Sequence, residues 1–328
     1  MTAWAGQTVL VTGYGGFLGG WLAQALHGQG AQVLGLVHRA ERQAERPPER
    51  TAASGAGITS VRADICDPAA LPPILARHPV TTVFHLAAQT LPTLAREEPQ
   101  PTFEVNAQGA CNVLEAARTA ARPPRVIFGS TDSVYGENDG VPFTEESGLA
   151  PNYPYEASKA CAEMAARCYF RTYGLPVAIA RFCNLYGPGD VAESRLMAGT
   201  IAAALSGKRQ VLRGDGSAVR NYLYVGDAVR ALLTLAKALG CPGIAGQAFN
   251  FCDEVPYSVL DIASRVLALA GRPDLAPVLG VSTPGEISIK RASAEKARRV
   301  LGWVPVMGLD EGLAQTIAWH RARHAAAA

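Results

Sequence analysis

The sequence predicts an α/β fold with a parallel sheet, on three observations. Short β-rich runs alternate with amphipathic helical stretches through the first half, a glycine-rich turn follows the first run, and 328 residues suffice for one large core with a smaller lobe. Thr8–Thr12, Gln32–Val37, Thr59–Arg62, Thr82–Leu86, Arg125–Gly129 and Val177–Phe182 read as strands. Between the first two, Phe17, Leu18, Trp21, Leu22, Ala25 and Leu26 share one helical face, which makes a βαβ unit. From about Ala40 to Gly57 the chain is rich in Arg, Glu, Pro and Gly without periodicity, an exposed connection. After Phe182 the pattern loosens, with Gly187-Pro188-Gly189, a helix near Arg195–Ser206 and the turn-rich Arg213–Ala218; the smaller lobe is placed to begin there. No internal repeat is found, and Ala325–Ala328 is low in complexity.

Composition excludes several classes. The formal net charge is +2 and the basic residues are dispersed, so neither nucleic acid nor an anionic membrane is an expected partner. Seven cysteines lie far apart without a C-x-x-C pair, which suggests buried thiols in a reducing compartment, and no metal is assigned. A basic leader with an apolar stretch and cleavage site does not precede the first strand, and no run approaches the ~20 apolar residues of a membrane helix. A soluble, cytoplasmic protein is expected.

The first strand ends in Gly13-Tyr14-Gly15-Gly16-Phe17-Leu18-Gly19, within which the helix begins. Gly13 permits a tight turn, Gly16 lets the backbone approach a pyrophosphate, and Gly19 allows close helix packing; the helix N-terminus then faces the phosphates. This predicts dinucleotide binding on a Rossmann-type doubly wound parallel sheet. At the end of the second strand, where an acid would grip a ribose 2′-hydroxyl, stand His38 and Arg39. A guanidinium can bind a 2′-phosphate through two hydrogen bonds, so NADP is preferred to NAD; the alternative for Arg39 is a solvated loop residue beside Arg42.

Tyr155-Glu156-Ala157-Ser158-Lys159 puts a phenol and an ammonium on adjacent turns of one helical face. The ammonium can lower the phenol pKa and hold a nicotinamide ribose, while the phenol exchanges a proton with a substrate hydroxyl. Upstream, Ser130-Thr131-Asp132-Ser133-Val134-Tyr135-Gly136 follows a strand, where a third catalytic group belongs.

With these motifs the chain resembles the nucleotide-sugar epimerase/dehydratase branch of the extended short-chain dehydrogenases. Further matching stretches are Val83–Gln89, Asn184-Leu185-Tyr186-Gly187, Arg220–Val225, Ser293–Arg298 and Leu301-Gly302-Trp303. Gly20-Trp21-Leu22 and the stretch from Gly189-Asp190 to Arg195-Leu196 most resemble the CDP-glucose 4,6-dehydratase-like group. The resemblance implies that Thr131 bonds the sugar hydroxyl being oxidised, Tyr155 accepts its proton and Lys159 supports both. It implies that Asp64, Ile65, Leu86, Ala87 and Ala88 flank the cofactor with Phe17 and Leu18, and that Gln89, Asn184 and Arg220 contact a nucleotide-diphosphate sugar. Residues 1–182 with about 221–255 are then the cofactor domain, and about 183–220 with 256–328 a mixed α/β nucleotide-sugar lobe.

A 4,6-dehydratase also needs an acid and a base beside the catalytic Thr. Asp132 fits the acid, but Ser133 stands where the dehydratases of this resemblance carry Glu or Lys. Dehydration through a transient 4-keto sugar is favoured over 4-epimerisation, with a keto-sugar reductase or a non-catalytic dinucleotide sensor as further alternatives. By the resemblance, helices around Glu104–Ala120 and Glu156–Tyr173 pair in a homodimer; the same apolar faces also suit ordinary core helices.

Overall fold

The computed structural model describes residues 4–38, 57–137, 140–281 and 288–327. In chain order the elements are β1 (Thr8–Thr12), α1 (Phe17–Gly28), β2 (Gln32–Val37), β3 (Ile58–Arg62), α2 (Pro72–Arg77), β4 (Val80–His85), α3 (Pro92–Glu97) and α4 (Pro99–Phe103). A π-helical stretch, Glu104–Gln108, leads into α5 (Gly109–Thr119), followed by β5 (Arg125–Thr131), a short 3-10 turn (Asp132–Tyr135) and α6 (Pro154–Tyr173). Then come β6 (Val177–Phe182), β7 (Asn184–Tyr186), α7 (Leu196–Leu205), β8 (Val211–Leu212), β9 (Val219–Arg220), β10 (Tyr222–Tyr224) and α8 (Val225–Ala238). The chain ends with β11 (Ala248–Phe251), β12 (Tyr257–Ser258), α9 (Val259–Leu269), β13 (Val278–Leu279), β14 (Ile289–Lys290), α10 (Glu295–Leu301) and α11 (Leu309–Ala327). None of the described helices is long and apolar enough to cross a membrane.

Seven strands form the main sheet in the order β11-β6-β5-β4-β1-β2-β3. The pairs β2–β3, β1–β2, β1–β4 and β4–β5 are parallel. Strand order reverses between β1 and β4, the point at which a doubly wound sheet opens a crevice at its carboxyl edge. β1 is buried along its whole length because both faces are covered: Leu10 joins Leu34, Val83, Val113, Val126 and Ile179 in one apolar cluster.

Two elements differ from the expectation in instructive ways. The buried side of α1 is Gly19, Leu22, Ala23 and Leu26, displaced from the face read around Phe17, Leu18 and Trp21. Gly19 makes the closest approach, its missing side chain leaving room for the Gly13 carbonyl, which a reading of large apolar side chains passes over. The seventh strand, β11, lies inside the 221–255 stretch but was not read as a strand; it is four residues long and entirely buried, too short for a periodicity. β4 and β5 also shift at their ends, β4 stopping at His85 and β5 running on to Thr131.

Chain contacts divide the molecule into two compact units. The first comprises Met1–Val134, Pro151–Arg181 and Val229–Phe249; the second comprises Tyr135–Ala150, Phe182–Ala228 and Asn250–Ala328. The second unit is built from short strands: β7 pairs with β10, β8 with β13, and β9 lies between β12 and β14. Asp227 accepts hydrogen bonds from the amides of Val306 (3.0 Å) and Met307 (2.9 Å), and Asn221 bonds the carbonyl of Asp253 (2.8 Å), so buried side chains replace long ladders here.

Candidate active site

The turn after β1 is built for close approach. Gly13 has φ +71°, and a Cβ there would lie 2.8 Å from the Ala87 amide nitrogen, so only glycine lets the turn and the end of β4 meet. A side chain at Gly19 would collide with the Gly13 carbonyl and the Tyr14 backbone, which fixes how α1 leaves the turn. Gly16 is the N-cap of α1: no side chain caps the helix, and its first turn carries no acidic residue. A twelve-residue helix with uncapped N-terminal amides, entered through a glycine cradle, fits a diphosphate.

Behind the turn, Thr12 and His85 sit opposite each other on β1 and β4. The Thr12 hydroxyl accepts from the amides of Leu86 and Ala87, both at 3.1 Å, and lies 2.9 Å from His85 Nδ1. With two donors already on its oxygen, the hydroxyl donates to Nδ1, which places the imidazole proton on Nε2. Burial, reinforced by the positive charge of Lys159, holds His85 down to about 3, so the ring is a neutral strut.

Beyond the ends of β2 and β3, His38 Nε2 is 3.1 Å from Asp64 Oδ2, and the Cys66 amide donates to Asp64 Oδ1 at 2.9 Å. Partial burial works against ionisation of Asp64, but the Cys66 amide and His38 outweigh it and hold the carboxyl below its ordinary value. Asn112 clamps the same corner by donating to the carbonyls of Ile65 (2.8 Å) and Cys66 (3.1 Å). Arg39 lies outside the described residues.

The proton-transfer candidates gather where β5 ends and α6 begins. Thr131 accepts from the Ser133 amide (3.2 Å) and donates to Asp132 Oδ1 (3.4 Å), and all three residues are buried. Pro154 opens α6, which puts Tyr155 in its first turn, partly exposed, and Lys159 one turn on, buried. Lys159 Nζ donates to the Gly129 carbonyl (2.6 Å) and lies 4.5 Å from the centre of the Phe128 ring. Burial pushes the ammonium down to about 8, with Glu163 acting in the opposite direction. A cation held here favours the phenolate of a neighbouring tyrosine, the ionisation a proton acceptor requires.

The remaining candidates are engaged elsewhere. Gln89 is tied into its own loop, accepting from the Leu91 amide (2.5 Å) and donating to the Leu91 carbonyl (3.0 Å). In the second unit Asn184 donates to the Asn221 carbonyl (3.2 Å), and Arg220 Nη1 donates to the carbonyls of Val219 (2.8 Å) and Ser288 (3.2 Å). Arg220 is in register with Tyr257 on one side and Lys290 on the other.

Three polar residues next to the catalytic candidates escaped the sequence reading. Asn106, in the π-helical stretch, accepts from the Gln89 amide (2.8 Å) and donates to Ser158 Oγ (2.9 Å), whose hydroxyl in turn reaches the Tyr155 carbonyl (2.8 Å). Glu163 and Arg181 form a wholly buried ion pair. The available signals were an acid four residues after Lys159 and an arginine inside an otherwise apolar strand, since a charge so placed demands a partner.

A diphosphate cradle at the switch point of a doubly wound sheet, with a tyrosine–lysine helix packed on β5, defines a dinucleotide-dependent enzyme of the short-chain dehydrogenase/reductase type. The model of the NAD dependent epimerase/dehydratase family matches residues 9–250, and the chain belongs to that family. It is 33% identical over 316 residues to a UDP-glucose 4-epimerase of Mycolicibacterium smegmatis, covering 95% of this chain and 98% of the relative. It is 30% identical over 337 residues to a dTDP-glucose 4,6-dehydratase of Neisseria meningitidis, covering 96% and 93%. The solved dTDP-glucose 4,6-dehydratase DesIV of Streptomyces venezuelae, with NAD bound, superimposes with a TM-score of 0.86 at 30% identity, covering 97% of this chain and 98% of that one.

Proposed function

We propose that the protein is a nucleotide-sugar epimerase/dehydratase that works through a transient 4-keto sugar, with 4,6-dehydration the favoured outcome. The feature that supports this reading is that one compact unit carries both the uncapped N-terminus of α1, with its Gly13–Gly19 turn, and Thr131, Tyr155 and Lys159. Gly13, Gly16 and Gly19, with Asp64, Ile65, Leu86, Ala87 and Ala88, would hold the dinucleotide, which when bound would supply hydride acceptance and return. Thr131 orients the C4 hydroxyl and Tyr155 takes its proton as hydride leaves C4. Arg220 and Asn184 hold the diphosphate, Arg220 exchanging main-chain carbonyls for phosphate oxygens.

Dehydration is favoured by Asp132, a buried carboxyl that accepts from the Thr131 hydroxyl and would relay the C5 proton to the C6 hydroxyl, which leaves as water. Epimerisation is the second reading, favoured by Ser133, because a 4-epimerase returns hydride to the other face and needs no base for the C5 proton. Incubation with dTDP-, UDP-, CDP- and GDP-hexoses separates the two. A product lighter by one water is expected; an isomer of unchanged mass selects epimerisation, and unchanged substrate throughout the panel overturns both.

The acceptor is NAD or NADP, and the preference for NADP rests on Arg39, the residue after His38 in the sequence. Arg39→Ala should weaken NADP by about tenfold and leave NAD nearly unchanged in equilibrium binding. Equal losses for both would remove Arg39 from the 2′ position. A homodimer through α5 and α6 is inferred from the exposed face Cys161, Met164 and Cys168, at helical spacing on α6.

A further inference from the structure

One buried cluster lies against the candidate catalytic pair without a role in the mechanism above. Tyr155, Lys159 and Glu163 follow one another at four-residue spacing down one side of α6. Glu163 and Arg181 are both wholly buried. Arg181 Nη2 reaches Glu163 Oε2 at 2.6 Å, and its Nε lies 3.0 Å from each carboxylate oxygen. Ser130, the residue before Thr131, donates to Glu163 Oε1 at 2.5 Å. A buried ion pair is weak evidence for stability in itself, because two desolvated charges are often replaceable by apolar groups. Its placement gives it another use: it lies one helical turn from a buried ammonium whose hydrogen bond goes to the neutral Gly129 carbonyl.

We propose that Glu163 is a positioning residue for the reaction: clamped by Arg181, its carboxylate is the counter-charge of the Lys159 ammonium, and its bond to Ser130 fixes the strand end that carries Thr131. The other ionisable groups on the elements beside α6 and on α6 itself are His85 at the end of β4, Asp132 after β5, Tyr155 on α6 and Arg181 on β6. His85 is neutral and occupied with Thr12. Burial drives Lys159 toward the uncharged amine and Glu163 opposes it. Without the carboxylate's charge, burial acts unopposed and the ammonium is lost at lower pH. The inference rests on the reading that Tyr155 and Lys159 carry the proton transfer, yet its direct test needs no turnover.

The chain has only the lysines Lys159, Lys208, Lys237, Lys290 and Lys296, so labelling lysine Cε with carbon-13 gives a simple NMR spectrum in which Lys159→Met identifies the signal of interest. In the unsubstituted protein Lys159 should titrate near about 8. In Glu163→Gln the midpoint should fall by about one pH unit. Glu163→Asp, which keeps the charge, should recover part of that shift. Because Glu163→Gln strands the Arg181 charge in the core, the neutral pair Glu163→Gln/Arg181→Gln is measured beside it and should show a smaller fall in the same direction, since the repelling guanidinium leaves with the carboxylate. An unchanged midpoint in either folded variant overturns the proposal. On a turned-over nucleotide sugar, the alkaline limb of kcat should move by the same amount with KM little altered. Absence of turnover in the unsubstituted protein would strike the functional reading, while the lysine titration still decides the counter-charge.

Discussion

In the first unit the candidate groups stand at the ends of β1, β4 and β5, strands of five to seven residues, and are braced by buried side-chain bonds such as Thr12 to His85. In the second, Asn184 and Arg220 stand on strands of three and two residues, and their side chains satisfy main-chain carbonyls. Hydride and proton transfer tolerate little displacement, which suits groups fixed from behind. Recognition of a diphosphate needs a permanent planar cation that can trade carbonyl oxygens for phosphate oxygens, which suits a side chain on a short strand that spends its hydrogen bonds on main-chain carbonyls.

The largest effect is expected on the fixed side. Tyr155→Phe should lower kcat by at least about a thousandfold while NAD affinity changes by no more than about threefold, since the hydroxyl carries the proton and the ring remains. Near-normal kcat would remove Tyr155 from the proton path. On the recognition side, Arg220→Met should raise KM for the nucleotide sugar by roughly a hundredfold with kcat largely kept, as expected for uniform binding of a diphosphate. A fall in kcat with KM unchanged would mean that the two regions do not divide the labour in this way.

A smaller effect separates the regions through pH. His85 is held down to about 3 from an ordinary value of 6.5. An unfolded chain therefore takes up a proton across that interval that the folded one refuses. This share of stability is complete above about 6.5 and is lost as pH falls toward 3. His85→Gln, whose amide oxygen can still accept from Thr12, should flatten the fall of Tm between pH 6 and 4 by a few degrees, on the order of 1–2 kcal/mol. An identical slope in both proteins would mean that burial of this imidazole is not linked to folding.

How much of this was legible in the sequence follows from how local each signal is. The βαβ unit, the glycine turn and the Tyr-x-x-x-Lys spacing are set within a few residues, and six of the seven sheet strands are readable as β-rich runs. The face of α1 was misread because Gly19 and Ala23 pack by being small. Asn106 lies in a π-helical stretch, whose extra residue per turn leaves no mark in composition. Glu163, Arg181 and Ser130 come from three elements that only folding brings together, so no spacing rule joins them.

The most direct test follows the nicotinamide absorbance in a single turnover, with a nucleotide sugar carrying hydrogen or deuterium at C4. A transient rise in reduced cofactor, slowed by deuterium and missing from Tyr155→Phe, is the expected result. Product formed with no transient and no isotope effect, or a transient that survives unchanged in Tyr155→Phe, would contradict oxidation at C4 by this tyrosine and lysine.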